Sequence, residues 1–301
     1  MIAVSDLPAT ASLVRLAAGD RPLLGLWRGG RLCGLSPLSL DELLALPAAE
    51  IRTRLDAEDG PELDPASATL LAPSEGQEVW GSGVTYLRSR EARMEESSEK
   101  DIYQRVYQAD RPELFFKAAG WRVVPHGGQV GIRPDSGWDV PEPELAVLSN
   151  SRGEVVAYSC GNDMSSRSIE GENPLYLPQA KVYDRSCSIG PAAVLAWEVG
   201  DLGALRIRMT IEREGSEVFN GEARLAEMVR DPAELCGVLH SAYPLPAGAW
   251  LLTGTSIVPE QPYTAAEGDL VNISIDGLGR LTNQLATVSH SGATALPRLR
   301  R

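Results

Sequence analysis

PEPELAVLSNSRGEVVAYSCGNDMSSRSIEGENPLYLPQAKVYDRSC, residues 141–187, is the stretch on which the reading of the chain turns. It opens with two carboxylates at i and i+2, Glu142 and Glu144, and adds a third, Asp163, in Gly-Asn-Asp; Lys181 follows near its end. On a strand, side chains alternate between faces, so Glu142 and Glu144 point the same way. Val140, Leu145 and Val147 give the segment strand character, and Pro141 and Pro143 restrict it to a sheet edge or rim. Asn150-Ser151-Arg152-Gly153 reads as a turn and Glu154 to Cys160 as the returning strand. That hairpin brings Asp163 back beside the glutamates. Three converging carboxylates repel one another unless a cation sits among them. Oxygen-only donors favour Mg2+, with Mn2+ or Ca2+ next, over Zn2+. Glu142, Glu144 and Asp163 are therefore candidate metal ligands, with Lys181 acting beside the ion. Spacing alone leaves a second reading open, in which these are ordinary solvent-facing acids on a hairpin.

The composition narrows the class of protein. A chain of 301 residues with 43% hydrophobic and 23% charged content can build a substantial globular core. A net charge of −13 disfavours nucleic acid and anionic membranes as partners. An anionic small molecule is still compatible, because a metal and a few cations reverse the local potential. The N-terminus lacks the basic region of a secretory signal, and no run reaches membrane-span length. The four cysteines form no CxxC and read as buried free thiols in a reducing compartment, so the expected location is cytoplasmic. Three scattered histidines supply a histidine-centred mechanism poorly.

Residues 1–68 read as a small N-terminal α+β unit, and residues 69–301 as the main domain. In the first, short strands surround Gly19-Asp20 and Gly29-Gly30, Ser39 is a helix N-cap, and Pro47 starts a second helix. The acidic run 56–67 reads as the linker. In the second, Glu78 to Gly83 is a strand, and the charged run 86–100 is a helix that is either a solvated face or a mobile lid. Residues 101–110 continue as helix. Phe115 and Phe116 are expected in the core, with Lys117 aimed into a cleft. The polar run 165–174, which includes Glu170, is where substrate-binding groups are expected. Strands follow at 189–199, 205–212 and 249–259, helices at 224–229 and 232–242, and hairpins at Glu214-Gly215 and Asp276-Gly277. Strands outnumber helices, so the fold class is mostly β, in the α+β sense.

Five segments carry a family resemblance: GSGVTYLRSREAR (81–93), RVYQADRPELFFKA (105–118), VPEPELAV (140–147), GNDMSSRSIEGENPLYLPQAKVYDRSCSIGP (161–191) and TGTSIVP (253–259). They resemble the fumarylacetoacetate hydrolase superfamily, and within it the branch of 2-keto-3-deoxy-D-arabinonate dehydratases, over about residues 70–290. The resemblance implies a mixed β-sandwich roll, one Mg2+ or similar ion on Glu142, Glu144 and Asp163, and a homodimer or homotetramer. It implies an active-site lysine at Lys181, a dehydratase-branch carboxylate at Glu113, and active-site positions at Lys117 and Thr255; Lys117 and Thr255, with Arg88 and Glu170, are the candidate substrate-binding residues. The hydrolases of this superfamily carry a His–Glu pair that activates water; here Ser89 and Ala92 stand at those positions. Serine and alanine cannot form a general-base dyad at neutral pH. The implied reaction is then removal of water from a 2-keto-3-deoxy pentonate through a metal-stabilised enolate, giving 2,5-dioxopentanoate. A lysine whose pKa is lowered by burial and a nearby cation can serve as the base. The sequence is compatible with Lys181 as base and Glu113 as acid, or the reverse. An acylpyruvate-type hydrolase or decarboxylase, a dienoate isomerase, and a non-catalytic metal-binding protein are the competing readings.

Overall fold

The computed structural model describes residues 6–18, 21–35, 38–58, 60–65, 68–87 and 105–289. Its strands are β1 (Ser12–Ala18), β2 (Arg21–Arg28), β3 (Arg31–Gly34), β4 (Glu62–Leu63), β5 (Thr69–Leu71), β6 (Glu78–Gly83), β7 (Glu113–Ala119), β8 (Gln129–Ile132) and β9 (Asp139–Val140). They continue with β10 (Pro143–Ser149), β11 (Val155–Asp163), β12 (Ser165–Ser166), β13 (Cys187–Leu195), β14 (Arg206–Arg213), β15 (Ser216–Arg224), β16 (Ala249–Leu252), β17 (Leu270–Ile275) and β18 (Gly279–Thr287). The helices that matter here are α1 (Leu40–Leu44), α2 (Ala48–Asp56), α3 (Arg167–Glu172), α4 (Leu177–Lys181) and α5 (Pro232–His240). The fold is mostly β, as the alternation and turn signals predict.

A large sheet runs β4-β3-β2-β1-β13-β11-β10-β16-β6-β7, with β5 also paired to β1. A five-stranded sheet runs β15-β14-β17-β18-β8, and β12 pairs with β9. Both larger sheets are mixed, because β16–β6 and β18–β8 are parallel while the other pairs are antiparallel. β10 is buried along its whole length. Leu145 and Val147 share a core with Met209, Ile211, Val271 and Ile273 of the smaller sheet. Ala146 and Leu148 share another with Leu43, Leu44, Ile51 and Leu55 of α1 and α2. Each such buried Leu or Ile contributes roughly 1.5–3 kcal/mol, so the strand carrying Glu144 is held from both sides.

Several expectations are corrected. β10 is central between β11 and β16 rather than an edge strand. Pro143 is its first residue, at the sheet rim, where proline is tolerated. The acidic run 56–67, expected as a linker, carries β4, which pairs with β3. The stretch 1–68 contributes β1 to β4, α1 and α2, and β1 pairs directly with β13 through Ser12↔Val194 and Leu13↔Ala193. Phe116 is exposed and meets Trp80 edge-on, and Phe115 is half-buried, so neither is a core anchor. Residues 224–227 are the end of β15 and a single 3-10 turn rather than an α-helix. The predicted helix over 86–100 lies outside the described residues apart from its first two; of 101–110, residues 105–108 are helical.

Candidate metal centre and active site

The hairpin forms as its sequence predicts. Gly153 closes the turn with φ +76°, its N–H donating to the Asn150 carbonyl at 3.0 Å. In the β10–β11 register Glu144 stands opposite Gly161, and the Asp163 N–H donates to the Glu142 carbonyl at 2.9 Å. Directly opposed residues share a face, so Glu142, Glu144 and Asp163 emerge on the same side. One oxygen from each of the three lies within 4.8 Å of the others, and all three side chains are buried.

Cations surround this cluster. Lys181, at the end of α4 and 1% exposed, donates from Nζ to Glu142 Oε2 at 2.6 Å, to Asp163 Oδ2 at 2.9 Å and to Ser165 Oγ. Arg167, the first residue of α3, pairs through Nη2 with Glu142 Oε1. Lys117, on β7, pairs with Asp163 Oδ1. Glu144 receives the Gly254 N–H at 2.6 Å. Burial, reinforced by repulsion from Asp163 and Glu142, holds the Glu144 carboxyl well above its usual range. A divalent cation among the three acids offsets that penalty, and an oxygen-only donor set suits Mg2+ or a similar hard ion. The residues present fit such an ion.

The remaining wall comes from β6, β7 and the Thr253-Gly254-Thr255 turn. A small cavity of about 20 Å³ is lined by Ser82, Gly83, Val84, Phe115, Glu142, Glu144, Asp163, Arg167, Lys181, Gly254 and Thr255. That is room for a single water-sized occupant. Gly254 has φ +85°, and a Cβ there would lie 2.2 Å from Thr85 Oγ1, so only glycine aims this N–H at Glu144. Val84, beside the cavity, holds φ +56°, a strained conformation for a β-branched residue. Glu113 stands opposite Gly83 across β6 and β7, and its carboxylate fills the space a Gly83 side chain would take, at 2.0 Å from the Cβ position.

The structure thus brings together Glu142, Glu144, Asp163, Lys181 and Thr255 around one cavity; Glu113 does not line it but lies against Gly83, which does. Glu170, three residues past Arg167 in α3, is buried but is not among the residues lining that cavity. Lys117 is close to the acids but behind Asp163. Arg88 lies outside the described residues, as do Ser89 and Ala92. Sequence reasoning did not single out Arg167 or Ser165, which sit in the polar run 165–174 where substrate-binding groups were expected without being placed against the acids. The signal available for Arg167 was its position four residues after Asp163.

Known proteins resemble the chain over most of its length. The fumarylacetoacetate (FAA) hydrolase C-terminal family model matches residues 78–286, and the chain belongs to the fumarylacetoacetate hydrolase family. A probable 2-keto-3-deoxyxylonate dehydratase of Haloferax volcanii is 48% identical over 273 residues, covering 91% of this chain and 92% of the relative. A 2-dehydro-3-deoxy-D-arabinonate dehydratase of Saccharolobus solfataricus is 42% identical over 216 residues, covering 70% and 72%. A solved structure of 2-keto-3-deoxy-D-arabinonate dehydratase complexed with magnesium and 2,5-dioxopentanoate superposes with a TM-score of 0.82 at 31% identity, covering 93% of this chain and 100% of that one. These relatives are dehydratases, and a hydro-lyase is consistent with the site described.

Proposed function

We propose that this protein is a divalent-metal-dependent hydro-lyase that converts a 2-keto-3-deoxy pentonate to 2,5-dioxopentanoate, with Mg2+ as its ion. The observation that carries the proposal is the buried triad of Glu142, Glu144 and Asp163 with Lys181 hydrogen-bonded to two of its members. A divalent ion bound there supplies Lewis acidity to a substrate carboxylate and its neighbouring keto oxygen. We assign Lys181, as the neutral amine that burial and a bound cation beside it would favour, to take the C3 proton, and Glu113, in its protonated form, to hand a proton to the departing C4 hydroxyl, which leaves as water. The resulting C3=C4 allylic alcohol tautomerises to the 5-aldehyde, so the net change is loss of one water. Thr255, Arg88 and Glu170 are assigned to the substrate's carboxylate and hydroxyls. The nearby Arg167 guanidinium neutralises Glu142.

The two relatives' substrate names do not oppose each other as strongly as they read. Arabinonate and xylonate of one series differ at C2 and C3. In the 2-keto-3-deoxy acid neither carbon is a stereocentre, so within the D series both names describe one compound, defined by C4 alone. The D configuration at C4 is therefore the finer proposal. A substrate panel tests it: both C4 configurations of 2-keto-3-deoxy pentonate, with acylpyruvates as the hydrolase probe, each with Mg2+ and with chelator. The expected result is Mg2+-dependent 2,5-dioxopentanoate from the D compound. Ready cleavage of acylpyruvates with no turnover of either pentonate overturns it.

A further inference from the structure

The family pattern gives Lys117 a substrate-facing role, but its surroundings give it another. Lys117 is 0% exposed. Its ammonium donates to two main-chain carbonyls, that of Met164 at 2.9 Å and that of Lys181, and forms an ion pair with Asp163 Oδ1. It is absent from the lining of the cavity among the acids. Instead it lines a separate cavity of about 260 Å³, with Phe116, Tyr183 and Cys187, and its Nζ lies 5.8 Å from the Tyr183 ring. The Cys187 thiol beside it is pushed up to about 12 by burial, so it stays a neutral neighbour.

The Asp163 carboxylate is therefore gripped from both sides. Oδ1 faces Lys117, and Oδ2 faces Lys181. The same ammonium also holds the main-chain carbonyl of Lys181, the last residue of α4. We propose that Lys117 is a positioning residue: it fixes the rotamer of Asp163 and the end of α4, so that Oδ2 and Lys181 Nζ are presented together to ion and substrate. This rests on the reading of Glu142, Glu144 and Asp163 as metal ligands.

Three roles for Lys117 predict different outcomes for Lys117→Met. As a mere nearby positive charge, its removal tightens cation binding. As a substrate ligand, its removal raises KM and leaves metal affinity alone. As a positioning residue, its removal weakens metal binding although a repelling charge has gone. Mn2+ titration by calorimetry, without substrate, and steady-state kinetics on the keto-deoxy acid at saturating Mn2+ separate them, with circular dichroism to verify the fold. The expected result is a loss of Mn2+ affinity of about 10–100-fold, the range typical of groups that orient metal ligands, with kcat lowered and KM little changed. Lys117→Gln, which keeps donors for the two carbonyls without the charge, carries the same test if the Met variant does not fold. Unchanged or tighter Mn2+ binding, a rise in KM alone, or failure of both variants to fold at any Mn2+ concentration overturns the proposal. Absence of Mn2+ binding by the unaltered protein instead overturns the metal reading beneath it.

Discussion

Glu144 is fully enclosed among like charges, and the ionised form it needs to hold a cation is the form that burial disfavours. In the metal-free fold its proton is held above the usual carboxylate range, so the folded chain binds more protons than the unfolded one as pH rises past 4.5. Metal-free stability then falls as pH rises through the raised pKa, and metal affinity falls as pH drops through it, because protons compete for the same oxygen. Glu144→Gln removes both effects. Its metal-free form is expected to melt higher than the metal-free unaltered protein at pH 8, and to lose more than about 100-fold in Mn2+ affinity; thermal melts with chelator and calorimetric titration check the two. Glu113→Gln is expected to leave Mn2+ binding intact while lowering kcat by about 10²–10⁴, the usual worth of a general acid. At this scale the sequence was legible where chemistry and period coincide: Glu142, Glu144 and Asp163 are acids on matching faces of a local hairpin. The contacts of Lys117 were not legible, because a strand pattern says that a side chain points inward but not which groups it meets there.

Among the elements, the β10–β11 hairpin and the Thr253-Gly254-Thr255 turn set the geometry of the site. The hairpin was readable because its two strands are adjacent in sequence and its turn carries Asn and Gly. The turn was readable only as a glycine between two threonines within TGTSIVP (253–259); that its N–H reaches Glu144 depends on β16 lying beside β10, a pairing between residues about a hundred positions apart. Gly254→Ala is predicted to cost more than about 2 kcal/mol, since φ +85° is strained for alanine and the new Cβ meets Thr85 Oγ1 and the Ser82 carbonyl. Metal affinity should fall with it, as the donor to Glu144 shifts. Denaturant unfolding and Mn2+ titration measure the two losses; a variant as stable and as tight-binding as the parent would contradict this account of the turn. The misassigned elements have a common cause. Pro141 and Pro143 suggested an edge because their placement, one just before β10 and one as its first residue, depends on where pairing begins. The exposed Phe116 looked like core because apolar character alone does not reveal which side of a strand is covered.

Over the whole molecule, a chain with net charge −13 gathers Lys117, Lys181 and Arg167 around three buried acids. That balance is what the proposed meeting of a cation and an anionic keto acid inside an acidic protein requires. The mostly-β architecture was legible from strand and turn signals. The joining of β1 to β13 was not, because nothing local marks a strand from the first twenty residues as the partner of one near residue 194. The described residues include no helix long and apolar enough to cross a membrane. Binding of an ion to the native fold alone stabilises it by mass action, about 2.7 kcal/mol at a hundredfold excess over Kd, so the site and the fold are coupled. Metal-dependent loss of water from a five-carbon keto-deoxy acid is the reaction proposed for this site. Nuclear magnetic resonance of 2-keto-3-deoxy-D-pentonate mixed with the purified protein measures this directly, with chelator first and then with Mg2+ restored. The predicted result is no change under chelator and appearance of 2,5-dioxopentanoate once Mg2+ is added; an unaltered substrate spectrum with Mg2+ present, or equal conversion with and without it, would contradict the account.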